Sequence, residues 1–139
     1  CNLIQSILAK IEANHAGADD ALMLDSRGFV AETNATHLFI VEDGTVTTSR
    51  LVACPEGITR EVVLGLCRDS DIPHEVRDFS LTEVYRADEL FCTGTMGELA
   101  PVTHVDGRPI GGGDAGPTTR RLAKLFDQCV AAEAEPVLD

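Results

Sequence analysis

The sequence predicts an α/β domain built on a mixed sheet. Three observations carry this: strand-like apolar runs outnumber helical ones, the two kinds interleave, and several neighbouring strands are joined by hairpin-length turns. At 139 residues the chain reads as one domain, and a domain of that size buries roughly two-thirds of the surface its unfolded form exposes.

Leu3, Ile4, Ile7, Leu8 and Ile11 recur at helical spacing, so an amphipathic helix runs to about Asn14 and is stopped by Gly17. Asp20 to Leu24 reads as a strand, Asp25-Ser-Arg-Gly28 as a hairpin turn, and Phe29 to Glu32 as the return strand. After the polar link Thr33 to Thr36, His37 to Val41 is a buried strand, and Glu42-Asp-Gly44 turns it into Thr45 to Thr48. A loop from Ser49 to Glu56 enters a helix from Ile58 to about Ser70, with Val62, Val63, Leu66 and Cys67 facing inward. Ile72 to Arg77 is the next strand, and Ser80-Leu-Thr-Glu83 is a capping box for a short helix reaching Arg86. Glu89 to Thr93 is a strand that delivers Gly94 and Thr95 at its end. Val102 to Val105 and Arg108 to Ile110 pair across Asp106-Gly107, and a last helix spans Thr118 to about Ala134 before a frayed tail.

Composition narrows the function. A net charge of −12 disfavours nucleic acid and anionic membrane as partners. No apolar run is long enough to cross a bilayer and no signal-peptide pattern opens the chain. The five cysteines (Cys1, Cys54, Cys67, Cys92, Cys129) are widely spaced and odd in number, which fits reduced, mostly buried thiols in a cytoplasmic protein. The histidines, His15, His37, His74 and His104, make no metal spacing, and none stands out as catalytic. The chain opens at Cys1 without methionine, inside an apparent helix, and reads as part of a longer polypeptide.

Chemistry is suggested by the stretch Cys54-Pro-Glu-Gly-Ile-Thr-Arg60, a loop that tightens at Gly57 and then starts a helix. A helix start presents unpaired N–H groups and the positive end of the dipole, which suit a phosphate. Thr59 adds a hydroxyl, and a second turn of the same kind lies at Thr93-Gly-Thr-Met-Gly-Glu98. The plainer alternative for both is a turn and a helix cap. Glu32 stands where the apolar pattern of its strand breaks. It reads either as a surface carboxylate beside a turn or as one held under a heteroaromatic nitrogen, where opposite charge favours both ionised forms. Gly111-Gly-Gly113 lacks the strand–helix context of a dinucleotide fingerprint and reads as loop.

The ordered set Leu22-Met-Leu-Asp25, Gly28 to Glu32, Asn34 to Val41, Gly57-Ile-Thr-Arg60, Ala87 to Phe91, Gly94-Thr-Met-Gly-Glu98, Pro101-Val102, Val105-Asp-Gly107, Gly116-Pro117 and Thr119 resembles the class IV pyridoxal-phosphate aminotransferases. That family includes branched-chain and D-amino-acid aminotransferases and aminodeoxychorismate lyase. The resemblance covers nearly the whole chain. It implies a mixed, largely antiparallel sheet with flanking helices, as in the larger C-terminal domain of these enzymes, for residues 1–139. It implies pyridoxal 5'-phosphate as cofactor, with Glu32 at the pyridine nitrogen and Ile58, Thr59, Gly94 and Thr95 around the phosphate. Thr95 and Met96 match the turn that receives the substrate carboxylate. Arg60 belongs to the motif with a structural role implied on the helix behind the cup.

The family's Schiff-base lysine falls just before the position of Cys1, outside this chain, and neither Lys10 nor Lys124 matches it. No catalytic residue is therefore assigned within the chain, and the chain alone is expected to show no turnover. The resemblance implies a transaminase acting between an amino acid, branched-chain by preference, and a 2-oxo acid, and a homodimer. A D-amino-acid aminotransferase, an amine transaminase, the lyase, and a non-catalytic binding domain of the same fold remain open. Leu3, standing where many branched-chain members carry tyrosine, keeps the D-amino-acid option in view. Pro55 and Met96-Gly97 also depart from the usual pattern, beside the ring and in the substrate turn.

Overall fold

The computed structural model describes residues 3–50, 57–94 and 98–133. Helix α1 (Ile4–His15) is followed by strands β1 (Leu22–Leu24), β2 (Val30–Thr33), β3 (His37–Glu42) and β4 (Thr45–Thr48). Then come α2 (Ile58–Asp69), β5 (His74–Val76), α3 (Leu81–Arg86), β6 (Glu89–Thr93) and β7 (Leu99–Pro101). A small hairpin of β8 (His104–Val105) and β9 (Arg108–Pro109) precedes α4 (Pro117–Glu133).

The main sheet has five strands in the order β5-β4-β3-β6-β7. Among the described strands only β4 and β5 run parallel, and α2 supplies the crossover that a parallel pair requires. The sheet is therefore mixed and largely antiparallel. β3 lies between β4 and β6 and is buried on both faces, which explains its unbroken run of Leu38, Phe39, Ile40 and Val41. Alternate residues feed two cores. Phe39, Val41 and Phe91 pack with Val63, Leu64 and Cys67 of α2 and Leu122 of α4. Leu38, Ile40 and Leu90 pack with Val30, Phe79, Val84 and Ile110. Phe39 and Phe91 sit opposite each other in the ladder, their rings stacked at 4.9 Å.

Two hairpins are set by Asp-Gly pairs. Asp43-Gly44 and Asp106-Gly107 all have positive φ, the type I′ geometry whose twist matches flanking antiparallel strands. The capping box at α3 forms as read, with Ser80 and Glu83 bonding each other's backbone N–H groups. β1 and β2 form a separate two-stranded sheet with an irregularity between Met23 and Leu24.

α4 starts in a less local way. Glu89, on β6, accepts hydrogen bonds from the N–H groups of Thr118 (2.9 Å) and Thr119 (2.7 Å) and from the Thr119 hydroxyl (2.7 Å). A strand carboxylate thus satisfies the first turn of a helix about thirty residues later. Gly116 makes room for it, since a Cβ there would come closer than 3.0 Å to the Glu89 side chain.

Several elements differ from the sequence reading. The strand expected from Asp20 keeps only Leu22–Leu24, and that expected over Ile72 to Arg77 keeps His74–Val76. The Val102 to Ile110 hairpin shrinks to two residues per strand. The inner face of α2 is Arg60, Val63, Leu64 and Cys67; Val62 and Leu66 are only half-buried. β7, unforeseen, pairs antiparallel with β6, so the described chain beyond Gly94 resumes as a strand and not a helix. Of the described cysteines, Cys67 is buried while Cys92 and Cys129 are partly exposed, all free. The apolar stripe of α1 is open: Leu3, Ile4, Ile7, Leu8 and Ile11 are 46–61% exposed. Among the described residues no helix is long and apolar enough to cross a membrane.

Candidate functional site

Two element ends meet at one edge of the main sheet. Gly57 is the N-cap of α2, with φ −106° and ψ 120°, and among the described residues no side chain caps the helix. The first-turn N–H groups are thus left without a side-chain acceptor, at the positive end of the dipole. The Thr59 hydroxyl reaches across to the carbonyl of Gly94 at the end of β6, at 3.4 Å. Ile58 turns its side chain outward and is 85% exposed, leaving its backbone as the part available to a ligand.

The start of β3 forms the floor. His37 pairs with Thr93 across the β3–β6 ladder, which sets Thr36 and His37 beside both glycines. A Cβ on Gly57 would lie closer than 3.0 Å to Cδ2 and Nε2 of the His37 ring. A Cβ on Gly94 would lie 2.8 Å from Cγ2 of Thr36. Both glycines are therefore required by close approach, and together they shape a cradle. His37 is half-buried; burial first, then the nearby Arg60 charge, hold its imidazole below the usual pKa, with Glu61 opposing weakly.

Glu32 lies on β2, opposite Met23, half-buried. Burial alone pushes its carboxyl above the usual range, and among the described residues no donor or cation reaches it. Such a carboxylate gains from a cationic partner. The next residue ties β2 to the cradle: the Thr33 and Thr36 hydroxyls bond at 2.6 Å, and the Thr36 N–H donates to Thr33 Oγ1 at 2.9 Å.

Behind the cradle, Arg60 is 3% exposed. Its Nη1 contacts Glu61 Oε1 at 2.6 Å, and its Nη2 donates to the Ser49 carbonyl at 3.0 Å. Its Nε has no partner among the described residues. The Ser49 hydroxyl donates to the Ala31 carbonyl at 2.6 Å.

The structure thus brings Thr59 and Gly94 into direct contact and links Glu32 to them through neighbouring residues. Thr95 and Met96 lie outside the described residues, as does Cys1. Neither lysine approaches the cradle: Lys10 is engaged by the Asp19 carbonyl and by Asp20, and Lys124 is exposed on α4. The sequence reading passed over His37 and Ser49, whose places depend on strand pairing. A cleft of about 500 Å³ at the opposite end of β6 includes Glu89 and Gly116, but that carboxylate is already occupied by α4.

The donor set suits a phosphorylated heteroaromatic cofactor. Small residues and a helix start without a side-chain cap among the described residues would take the phosphate, and a half-buried carboxylate with no partner among those residues would take a ring N–H.

The family model for amino-transferase class IV matches residues 1–105. The chain is 48% identical over 136 residues to branched-chain-amino-acid aminotransferase-like protein 2 of Arabidopsis thaliana, covering 98% of this chain and 24% of that protein. It is 42% identical to the branched-chain-amino-acid aminotransferase of Pseudomonas aeruginosa, covering 95% of this chain and 43% of that enzyme. A solved branched-chain amino acid aminotransferase complexed with N-(5'-phosphopyridoxyl)-L-glutamate superposes with a TM-score of 0.90 at 41% identity. It is covered to 45%, and this chain to 95%. The PLP-form enzyme of Thermobaculum terrenum gives a TM-score of 0.89 at 34% identity, with 95% of this chain and 44% of that one covered. The chain spans between a quarter and a half of the length of these relatives. By sequence and by fold, it belongs to the class IV aminotransferases.

Proposed function

We propose that this chain is the C-terminal, cofactor-holding domain of a pyridoxal 5'-phosphate-dependent aminotransferase that moves an amino group between a branched-chain amino acid and a 2-oxo acid. The observation that carries the reading is the cradle: an uncapped α2 start, closed by Thr59 on Gly94 and floored by Thr36 and His37. When bound, pyridoxal phosphate supplies an electron-poor ring that stabilises negative charge at the substrate Cα.

This chain's residues bind and orient. The N–H groups of Ile58 and Thr59, the Thr59 hydroxyl, Gly94 and Thr95 hold the phosphate dianion, a charge-assisted arrangement at a helix start. Glu32 holds the proton on the ring nitrogen; pairing there reverses the upward push that burial exerts on its carboxyl. The Thr33–Thr36 turn keeps that carboxylate in register with the phosphate end. Thr95 and Met96 receive the substrate carboxylate on backbone amides. The proton-transferring lysine and much of the side-chain pocket belong to sequence ahead of Cys1, and the working unit is a homodimer.

A borohydride trap tests this. The full-length protein is reduced in the presence of pyridoxal phosphate and mapped by peptide mass. A single adduct on a lysine just ahead of Cys1 is the expected result. No adduct, or adducts scattered over surface lysines, would sink the reading in favour of a fold kept without its chemistry.

A further inference from the structure

We propose that Arg60 and Ser49 are positioning residues that couple the phosphate end of the cradle to the carboxylate under the ring, an inference that rests on the cofactor reading above. β2 carries Glu32, yet β1 and β2 form a sheet of their own outside the five-stranded ladder. Main-sheet hydrogen bonding therefore does not fix Glu32 relative to α2. Something else must, because ring and phosphate are ends of one rigid ligand and small misplacements of either are costly.

The link runs through one buried serine. Arg60, one residue past Thr59, donates from Nη2 to the Ser49 carbonyl at 3.0 Å. The Ser49 hydroxyl donates to the carbonyl of Ala31 at 2.6 Å, the residue before Glu32. Two hydrogen bonds thus connect the first turn of α2 to the strand of Glu32. Both residues are 3% exposed, so water offers no competing partner. The Thr33–Thr36 turn also packs closely on Gly94, through the Thr36 methyl and without a hydrogen bond among those described.

Packing alone does not account for a guanidinium here. Burying it is expensive, and an apolar residue of similar volume often does as well or better. Its Nε is left unpaired among the described residues, so those surroundings do not fully satisfy the side chain. What an apolar residue could not supply is the directed bond to Ser49, which makes the link specific.

The test uses full-length protein with Ser49→Ala, Ser49→Thr and Arg60→Lys. Three quantities are read: inorganic phosphate affinity of the apo-protein, the ring-nitrogen NMR shift of bound nitrogen-15-labelled pyridoxal phosphate against pH, and thermal stability. Ser49→Ala keeps the carbonyl that Arg60 uses, so phosphate affinity stays within about twofold. The ring-nitrogen protonation midpoint falls by about one pH unit, a tenfold loss of proton affinity as Glu32 drifts. Ser49→Thr, which keeps the hydroxyl, restores the midpoint. Arg60→Lys keeps the charge but loses the fork, lowering phosphate affinity roughly fivefold and moving the same midpoint.

Variants that change thermal stability but leave both the midpoint and phosphate affinity at the parent values would overturn the coupling while leaving the cofactor reading intact. If the unmutated protein binds no pyridoxal phosphate, the cofactor reading fails and the coupling fails with it.

Discussion

Gly57→Ala isolates the close approach on which the cradle depends. The backbone there, φ −106° and ψ 120°, is one that alanine adopts freely, so no conformational strain enters. The whole cost is the added methyl, which would meet the His37 ring at under 3.0 Å, inside any normal contact. His37 opens β3 as the ladder partner of Thr93 and is half-buried, so either the ring or the α2 start must move. Overpacking of this kind costs about 1–3 kcal/mol. Urea unfolding reads that loss, and pyridoxal phosphate titration is expected to weaken in parallel as the helix start shifts. The double variant with His37→Ser, compared with His37→Ser alone, removes the obstacle. It is expected to recover most of the loss, a coupling of about 1 kcal/mol or more. If Gly57→Ala matches the parent in stability and cofactor affinity, or if its penalty persists undiminished without the imidazole, the contact is not what makes glycine necessary.

Three further outcomes follow from other parts of the chain. Glu89→Gln replaces an acceptor of three hydrogen bonds at the α4 start with a neutral amide whose NH2 faces a donor, and unfolding titrations should show a loss of about 2–4 kcal/mol. Gly65→Ala is expected to stabilise by about 0.5–1 kcal/mol in the same assay, because Gly65 lies inside α2 with nothing within 4 Å of an added Cβ. Burial pushes the Cys67 thiol up to about 11, against a weak pull from Arg121. The unfolded chain therefore loses that proton first, so Cys67 lowers folding stability as pH climbs from about 9 towards about 11. A pH series of unfolding curves, compared with Cys67→Ala, should show that slope diminished in the variant.

The main sheet was legible where local chemistry and tertiary demand agree. Thr45–Thr48 and Glu89–Thr93 match the sequence reading residue for residue, because β-branched or apolar runs there are bounded by unambiguous turns. β7 escaped notice: three residues ending in proline carry no alternation, and the strand exists because β6 has an open edge to pair with. The inner face of α2 read from apolar spacing, Val62, Val63, Leu66 and Cys67, leaves out Arg60, because an apolar pattern carries no signal for a buried guanidinium. Its burial is made possible by the Ser49 carbonyl, eleven residues earlier, which periodicity does not reveal. The cradle divides the same way. Its helix-start residues, Gly57, Ile58 and Thr59, are contiguous, so the sequence alone points to them together. Its floor, Thr36 and His37, lies at the entry to β3, whose register with β6 is set by the sheet. Glu32 was picked out by the break in its strand's pattern, and its half-burial without a partner among the described residues is visible only in three dimensions.

The long-range cap on α4 has a consequence for how this chain can vary. Most helices take their starting point from the residues that lead into them, so editing the loop shifts the helix. Here the starting point is dictated from β6, and what the connection must supply is glycine at two close approaches, Gly111 against the Asp88 carbonyl and Gly116 against the Glu89 side chain. The short run between Ile110, which is buried, and Gly116 is thereby released from specifying helix phase. Outside Gly111 and Gly113, which both sit at positive φ, its composition can drift, or be engineered, while α4 keeps its register against the sheet. The demand moves instead to β6, where a one-residue slip would misplace the helix cap at one end and the Thr93-Gly94 lip of the cradle at the other.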